Sequence, residues 1–83
     1  MPTDKALIKY TLDVLANMHG NSLVTDTLAA EVELRAGRPL TTNQVRDVLT
    51  FCRDRGWIDT RRNDFREDTW WISDAGLNKS AGM

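Results

Sequence analysis

"GWIDTRRNDFREDTWWIS", residues 56–73, is the stretch on which the reading of this chain turns. At Gly56 the apolar spacing changes from the three-and-four rhythm of helices to something closer to strand alternation. Residues 57–61 and 69–73 carry tryptophan, isoleucine and threonine, which fit a half-buried pleated surface. The charged segment between them, "RNDFRE", is read as a turn. The pattern predicts a β-hairpin with strands at about 57–61 and 69–73. Alternation places Trp70 and Ile72 on one face and Trp71 on the other.

Upstream of Gly56 the rhythm is helical. A helix over about 41–55 has Thr41 or Thr42 as its cap, and Gln44 completes a capping-box pattern with Thr41. Val45, Val48, Leu49 and Cys52 converge on one face. Asn43, Asp47, Thr50 and Asp54 lie opposite, with Arg46 and Arg53 on a flank. A helix over about 25–36 has Thr25 as the expected N-cap, with Leu28, Ala29 and Val32 inward; Gly37 and Pro39 end it. A first helix, about 4–18, is capped by Thr3 or Asp4 and stopped by Gly20 in the left-handed region. Its stripe is Leu7, Ile8, Thr11, Leu12, Leu15 and Met18. Tyr10 and Val14 widen that stripe toward later helices or a second subunit. His19, beside Gly20, suits the negative end of the helix dipole. "SDAGLNKSAGM", residues 73–83, is read as at most one helical turn and a frayed end. The order helix, helix, helix, strand, strand is that of an α+β fold. It predicts a three-helix winged helix-turn-helix with a C-terminal two-stranded β-hairpin wing, one domain over residues 1–83.

Composition narrows the function classes. A chain of 83 residues builds one core, and 41% hydrophobic with 28% charged residues is ordinary globular composition. A core this small also makes a dimer a reasonable expectation. There is no apolar run of the roughly 20 residues a membrane span needs, and "MPTDKALIKY" lacks the order of a signal peptide. No membrane partner and a cytoplasmic location are expected. Cys52 is the sole cysteine and His19 the sole histidine, so neither an internal disulfide nor a zinc ligand set is expected. Without a nucleophile–base pair or a glycine-rich phosphate loop, no catalytic role and no cofactor is expected. Net charge is −1, yet all eight arginines fall between Arg35 and Arg66, a window of net charge +4 against −5 for the rest.

"RDRGWIDTRRN" followed by "TWWISDAGLNKS" resembles the end of MarR- and PadR-like winged-helix domains. The matching residues are Gly56, Trp57-Ile58, Ile72, Ser73 and Gly76. "VTDTLAAEV" resembles the second-helix phrase of the same domains. The resemblance implies a dimeric regulator of transcription whose partner is double-stranded DNA. It implies a third helix in the major groove, reading bases through Thr42, Asn43, Arg46 and Thr50, with Arg53 on phosphate. It also implies wing arginines Arg61, Arg62 and Arg66 at the minor groove or its phosphates. A different class stays open beside it: a winged-helix protein-interaction module without nucleic-acid binding. Asp47 and Asp54 on the reading face fit that class, as does a salt-bridged tip in which Asp64 pairs with Arg66. Trp71, covered by a partner or by Phe65 and the arginines, would with Tyr10 and Val14 form the partner surface.

Overall fold

The computed structural model describes residues 4–19 and 21–83. Helix α1 spans Lys5–Asn17, and Asp4 caps it by accepting a hydrogen bond from the Ala6 amide at 2.8 Å. Thr3 as an alternative cap and the conformation of Gly20 lie outside the described residues. Leu7, Ile8, Leu12 and Leu15 are buried, and so is Thr11, whose hydroxyl donates back to the Leu7 carbonyl at 2.8 Å. Two expectations for this helix are corrected. Met18 is 36% exposed rather than part of the inward stripe, and His19 lies beyond the helix, after its C-cap Met18.

Helix α2, Thr25–Ala36, packs on α1 through Leu28 and Val32. Thr25 is not its N-cap. Val24 holds that position with no side-chain bond. The Thr25 hydroxyl is used elsewhere: it accepts from the Trp70 indole N–H at 2.8 Å and donates to the Asp68 carbonyl at 3.3 Å. A cap residue was thus diverted into tying α2 to the wing. Helix α3, Thr42–Asp54, begins with a complete capping box. The Gln44 amide donates to the Thr41 hydroxyl at 3.1 Å, and the Thr41 amide donates to Gln44 Oε1 at 2.9 Å. Val48, Leu49 and Cys52 turn inward.

Among the described residues the sheet has three strands, not two. β1 (Leu23–Val24), β2 (Ile58–Arg62) and β3 (Asp68–Ile72) lie in the order β1-β3-β2, all antiparallel. β1 pairs Leu23 with Trp70 and Val24 with Thr69, which covers an edge the hairpin alone would leave open. In the hairpin, Ile58 faces Ile72 and Thr60 faces Trp70 on the core side; Asp59 faces Trp71 and Arg61 faces Thr69 on the other. Trp70 and Ile72 are accordingly buried and Trp71 half-buried.

The hairpin is also not the end of the fold. A fourth helix, α4, runs Asp74–Ala81 where one turn was expected. Ser73 caps it, accepting from the Gly76 amide at 3.1 Å. Its hydroxyl also donates to the Gly56 carbonyl, and its amide donates to the Trp57 carbonyl at 3.0 Å. Gly56, at φ 76°, sits in the left-handed region that lets the chain leave α3 and enter β2. A Cβ on Gly76 would lie 1.9 Å from the Trp57 carbonyl oxygen, so only glycine lets α4 approach this closely. Gly56, Ser73 and Gly76 therefore form one scaffold joint. At the far end of α4, the Ser80 hydroxyl donates to Asp13 at 2.9 Å, fastening α4 to α1.

Candidate nucleic-acid interface

The outer face of α3 combines two adjacent stripes. Thr42, Arg46, Thr50 and Arg53, spaced four, four and three, share one side of the helix. They line an open cleft of about 570 Å³ whose opposite walls come from α2 and β3, with Trp70 among them. Asn43, Asp47 and Asp54 are exposed on the neighbouring stripe. Thr42, Asn43, Arg46 and Arg53 are exposed and Thr50 is half-buried, so all five candidates on this helix remain accessible. The cleft also carries Asp26, Glu33 and Asp68. Such carboxylates repel phosphate, so the cationic side of the opening is the one formed by α3.

Three of the arginines are partly engaged. Arg53 lies 3.6 Å from Asp54, Arg62 lies 3.5 Å from Asp68, and Arg38 lies 3.6 Å from Asp4. All three pairs are solvent-exposed and of the kind that contributes little to stability, so a stronger anion can compete for them. Arg46, Arg61 and Arg66 make no ion pair with another described residue. Arg55 is used in packing: its guanidinium sits 4.2 Å from the Phe51 ring centre, while Phe51 and Trp57 meet edge to face at 6.0 Å. Lys79 of α4 covers Trp57 from 5.1 Å.

Strand alternation separates the wing arginines. Arg62 shares the pleat face of Thr60, opposite Asp68, on the side of the α3 cleft. Arg61 occupies the other face, in a concavity of about 410 Å³ with Trp71, Thr69 and His19. The two cations thus point to opposite sides of one hairpin. A hairpin inserted edge-on into a groove would offer one to each wall.

The wing tip is built on Asn63. Its side-chain oxygen accepts from the amides of Phe65 and Glu67, each at 2.9 Å, and its side-chain amide donates to Glu67 Oε1 at 3.2 Å. The Asn63 amide donates to the Glu67 carbonyl at 2.9 Å, and the Arg66 amide donates to the Asn63 carbonyl at 3.0 Å. Arg66 closes the turn at φ 61°, the left-handed region, where a side chain other than glycine or asparagine costs on the order of 1 kcal/mol. The expected Asp64–Arg66 pair does not form among the described residues; the ion pair of the wing is Arg62–Asp68. Sequence reading passed over Asn63, although an Asn followed by Asp is a recognisable side-chain turn signal.

The proposed partner surface is partly corrected. Val14 is 3% exposed and belongs to the core, so it offers nothing to a partner. It faces the later elements, the first of the two destinations its position allowed. Tyr10 is half-buried against the core and Trp71 is half-buried beside Arg61. Phe65 does not cover Trp71, because it is 83% exposed at the tip. Among the described residues, no group of three or more His, Cys, Asp or Glu side chains is placed to hold a metal ion, and no helix is long and apolar enough to cross a membrane.

No protein-family model and no curated protein matches the chain. Solved structures do. RosR of H. salinarum superposes with a TM-score of 0.83 at 16% identity, over 95% of this chain and 69% of that one. A MarR-family transcriptional regulator from Silicibacter pomeroyi gives 0.79 at 14% identity, over 94% of this chain and 48% of that one. A winged-helix DNA-binding protein from STIV gives 0.70 at 13% identity, over 93% and 78%. The chain has the winged-helix fold.

Proposed function

We propose that this protein is a winged-helix DNA-binding regulator of transcription. In this reading α3 enters a major groove and the wing lies against the adjacent backbone. The observation that carries it is the accessible stripe Thr42, Arg46, Thr50 and Arg53, set in an open cleft on the same side as Arg62 of the wing. Asn43 and Arg46 have the side chains that pair bidentately with adenine and guanine, and Arg53, a turn and more further on, suits phosphate. Arg61, Arg62 and Arg66 supply sequence-independent attraction. The likeness in fold to a MarR-family transcriptional regulator and to a winged-helix DNA-binding protein supports the same reading. It acts without enzymatic chemistry and in the cytoplasm, and it pairs as a homodimer through Trp71 and Tyr10.

Selection of duplexes from a randomised pool tests this reading. Wild type should enrich one motif, and Arg46→Ala should relax the preference at one base position at a cost of about 1–3 kcal/mol. Failure to enrich any duplex, with no retention at low salt, overturns the reading. Trp71→Ser tests the homodimer: a halved mass with the fold intact is expected, and an unchanged mass refutes the role of Trp71. A protein-interaction module is the second reading, favoured by Asp26, Glu33 and Asp68 lining the cleft.

A further inference from the structure

Among the described residues, the large apolar side chain most open to water is Phe65, 83% exposed, ahead of Leu34 at 76% and Met18 at 36%. It does not ride on a loose loop. Its own amide and that of Glu67 are both held by the Asn63 side chain, and Arg66 beside it occupies a left-handed conformation that glycine would adopt without strain. A tip that only joined two strands would suit Asn-Gly and a polar apex. This tip instead fixes a phenyl ring at its apex and sets a cation next to it.

The ring's surroundings identify what could cover it. Of the nearby carboxylates, Glu67 accepts from the Asn63 amide and Asp68 is paired with Arg62, while Asp64, beside the ring in sequence, is exposed to solvent. Arg61 and Arg66 remain as cations without an ion partner among the described residues. An apolar point with Arg66 beside it and Arg61 and Arg62 on the strand leading to it, Asp64 being left to solvent, complements a surface with an anionic rim and an apolar interior. The minor groove has that form: phosphates line its edges, and sugars and stacked bases lie within. We propose that Phe65 is a wedge that enters the minor groove and intrudes on a base step, while the wing arginines hold the flanking phosphates. The inference rests on the DNA-binding reading above and adds to it a second contact and a bend. Side chains of this kind unstack a step in part and kink the duplex by about 20–90°. The wing then contributes sequence preference without reading base edges, because flexible pyrimidine–purine steps open most cheaply.

The experiment uses the full chain and duplexes of about 30 base pairs enriched by wild type from a randomised pool. The duplexes carry a donor and acceptor at their ends, with 2-aminopurine placed at successive steps. Wild type should shorten the end-to-end distance and raise 2-aminopurine emission at one step beneath each wing. Phe65→Ala should abolish both signals and weaken binding roughly tenfold. Its salt dependence should match wild type, since no charge is removed. Phe65→Trp should retain the bend. Equal bending and equal emission for wild type and Phe65→Ala overturn the wedge while leaving DNA binding intact. If wild type enriches no duplex, the DNA-binding reading fails and the wedge with it. The substituted side chain is almost wholly in solvent, so an unchanged melting temperature should confirm that the variant is folded.

Discussion

Removing Arg61 and Arg62 together should flatten the salt dependence of DNA binding by a calculable amount. With Arg46 on a base edge, the proposed reading leaves four exposed arginines for phosphate: Arg53 on α3, and Arg61, Arg62 and Arg66 on the wing. At about 0.9 per neutralised phosphate, one chain should show a slope of about −3.6 in log affinity against log salt. Between about 50 mM and about 200 mM salt that is a loss of about 150-fold. With Arg61→Ala and Arg62→Ala the slope should fall to about −1.8, and the loss over the same interval to about 12-fold. The two positions are not equivalent. Arg62 already lies 3.5 Å from Asp68 and must exchange that partner for phosphate, whereas Arg61 has no ion partner among the described residues. Arg61→Ala alone should therefore flatten the slope more than Arg62→Ala, and Asp68→Asn should steepen it. Fluorescence anisotropy across a salt series measures all four. Both arginines are exposed, and surface changes of this sort usually alter stability by less than about 0.5 kcal/mol, so the variants remain comparable. Parallel slopes for wild type and the double variant would refute wing contact with the backbone.

Other expectations concern the scaffold. Gly76→Ala forces a Cβ to 1.9 Å from the Trp57 carbonyl, and should destabilise by roughly 3 kcal/mol or more out of a total of about 4–12. Thermal melts should show a fall of more than about 12 °C, and a fall of only a degree or two would refute the close approach. Burial raises the Asp13 carboxyl, but hydrogen bonds from Lys9 and Ser80 and the charges of Lys9 and Arg35 together hold it below its ordinary value of 3.8. Its charged form therefore stabilises the fold above that ordinary value, and the contribution is lost as pH falls through the lower folded one. Denaturation of Asp13→Asn should show a deficit of about 0.5–1 kcal/mol near neutrality that vanishes in strong acid; a deficit independent of pH would contradict this. Burial pushes the Cys52 thiol up to about 12, against a smaller opposing effect of Arg55. A thiol reagent should leave the native protein unlabelled at mildly alkaline pH and label it stoichiometrically in urea, and rapid native labelling would show that α3 opens.

The elements legible in the sequence were those with a local signal. The capping box at Thr41 and Gln44 depends only on residues three apart, and the inward run Val48, Leu49 and Cys52 depends only on helical period. What was missed depends on distant partners. Two residues, Leu23 and Val24, are too few to show strand alternation, and they become a strand only because β3 offers an open edge. Thr25 has the side chain of a helix cap, but the Trp70 indole, 45 positions away, takes its oxygen. The α4 segment reads as at most one turn and a frayed end; it forms a full helix because Ser73 caps it and Asp13 and Trp57 receive it. Val14 could equally have met later elements or a partner, since helical period gives its direction and not its neighbour; the later elements cover it. The candidate α3 residues were found by position along a helix, whereas the tip built on Asn63 emerged only with its hydrogen bonds in place.

The central claim is that α3 and the wing form one DNA-binding surface. The most direct measurement is an amide NMR titration of the full chain with a duplex of about 20 base pairs at low salt. The account predicts shifts concentrated in residues 42–53 and 61–67, with the Gly56, Ser73 and Gly76 joint unmoved. Silence in both segments at high excess of DNA would contradict it.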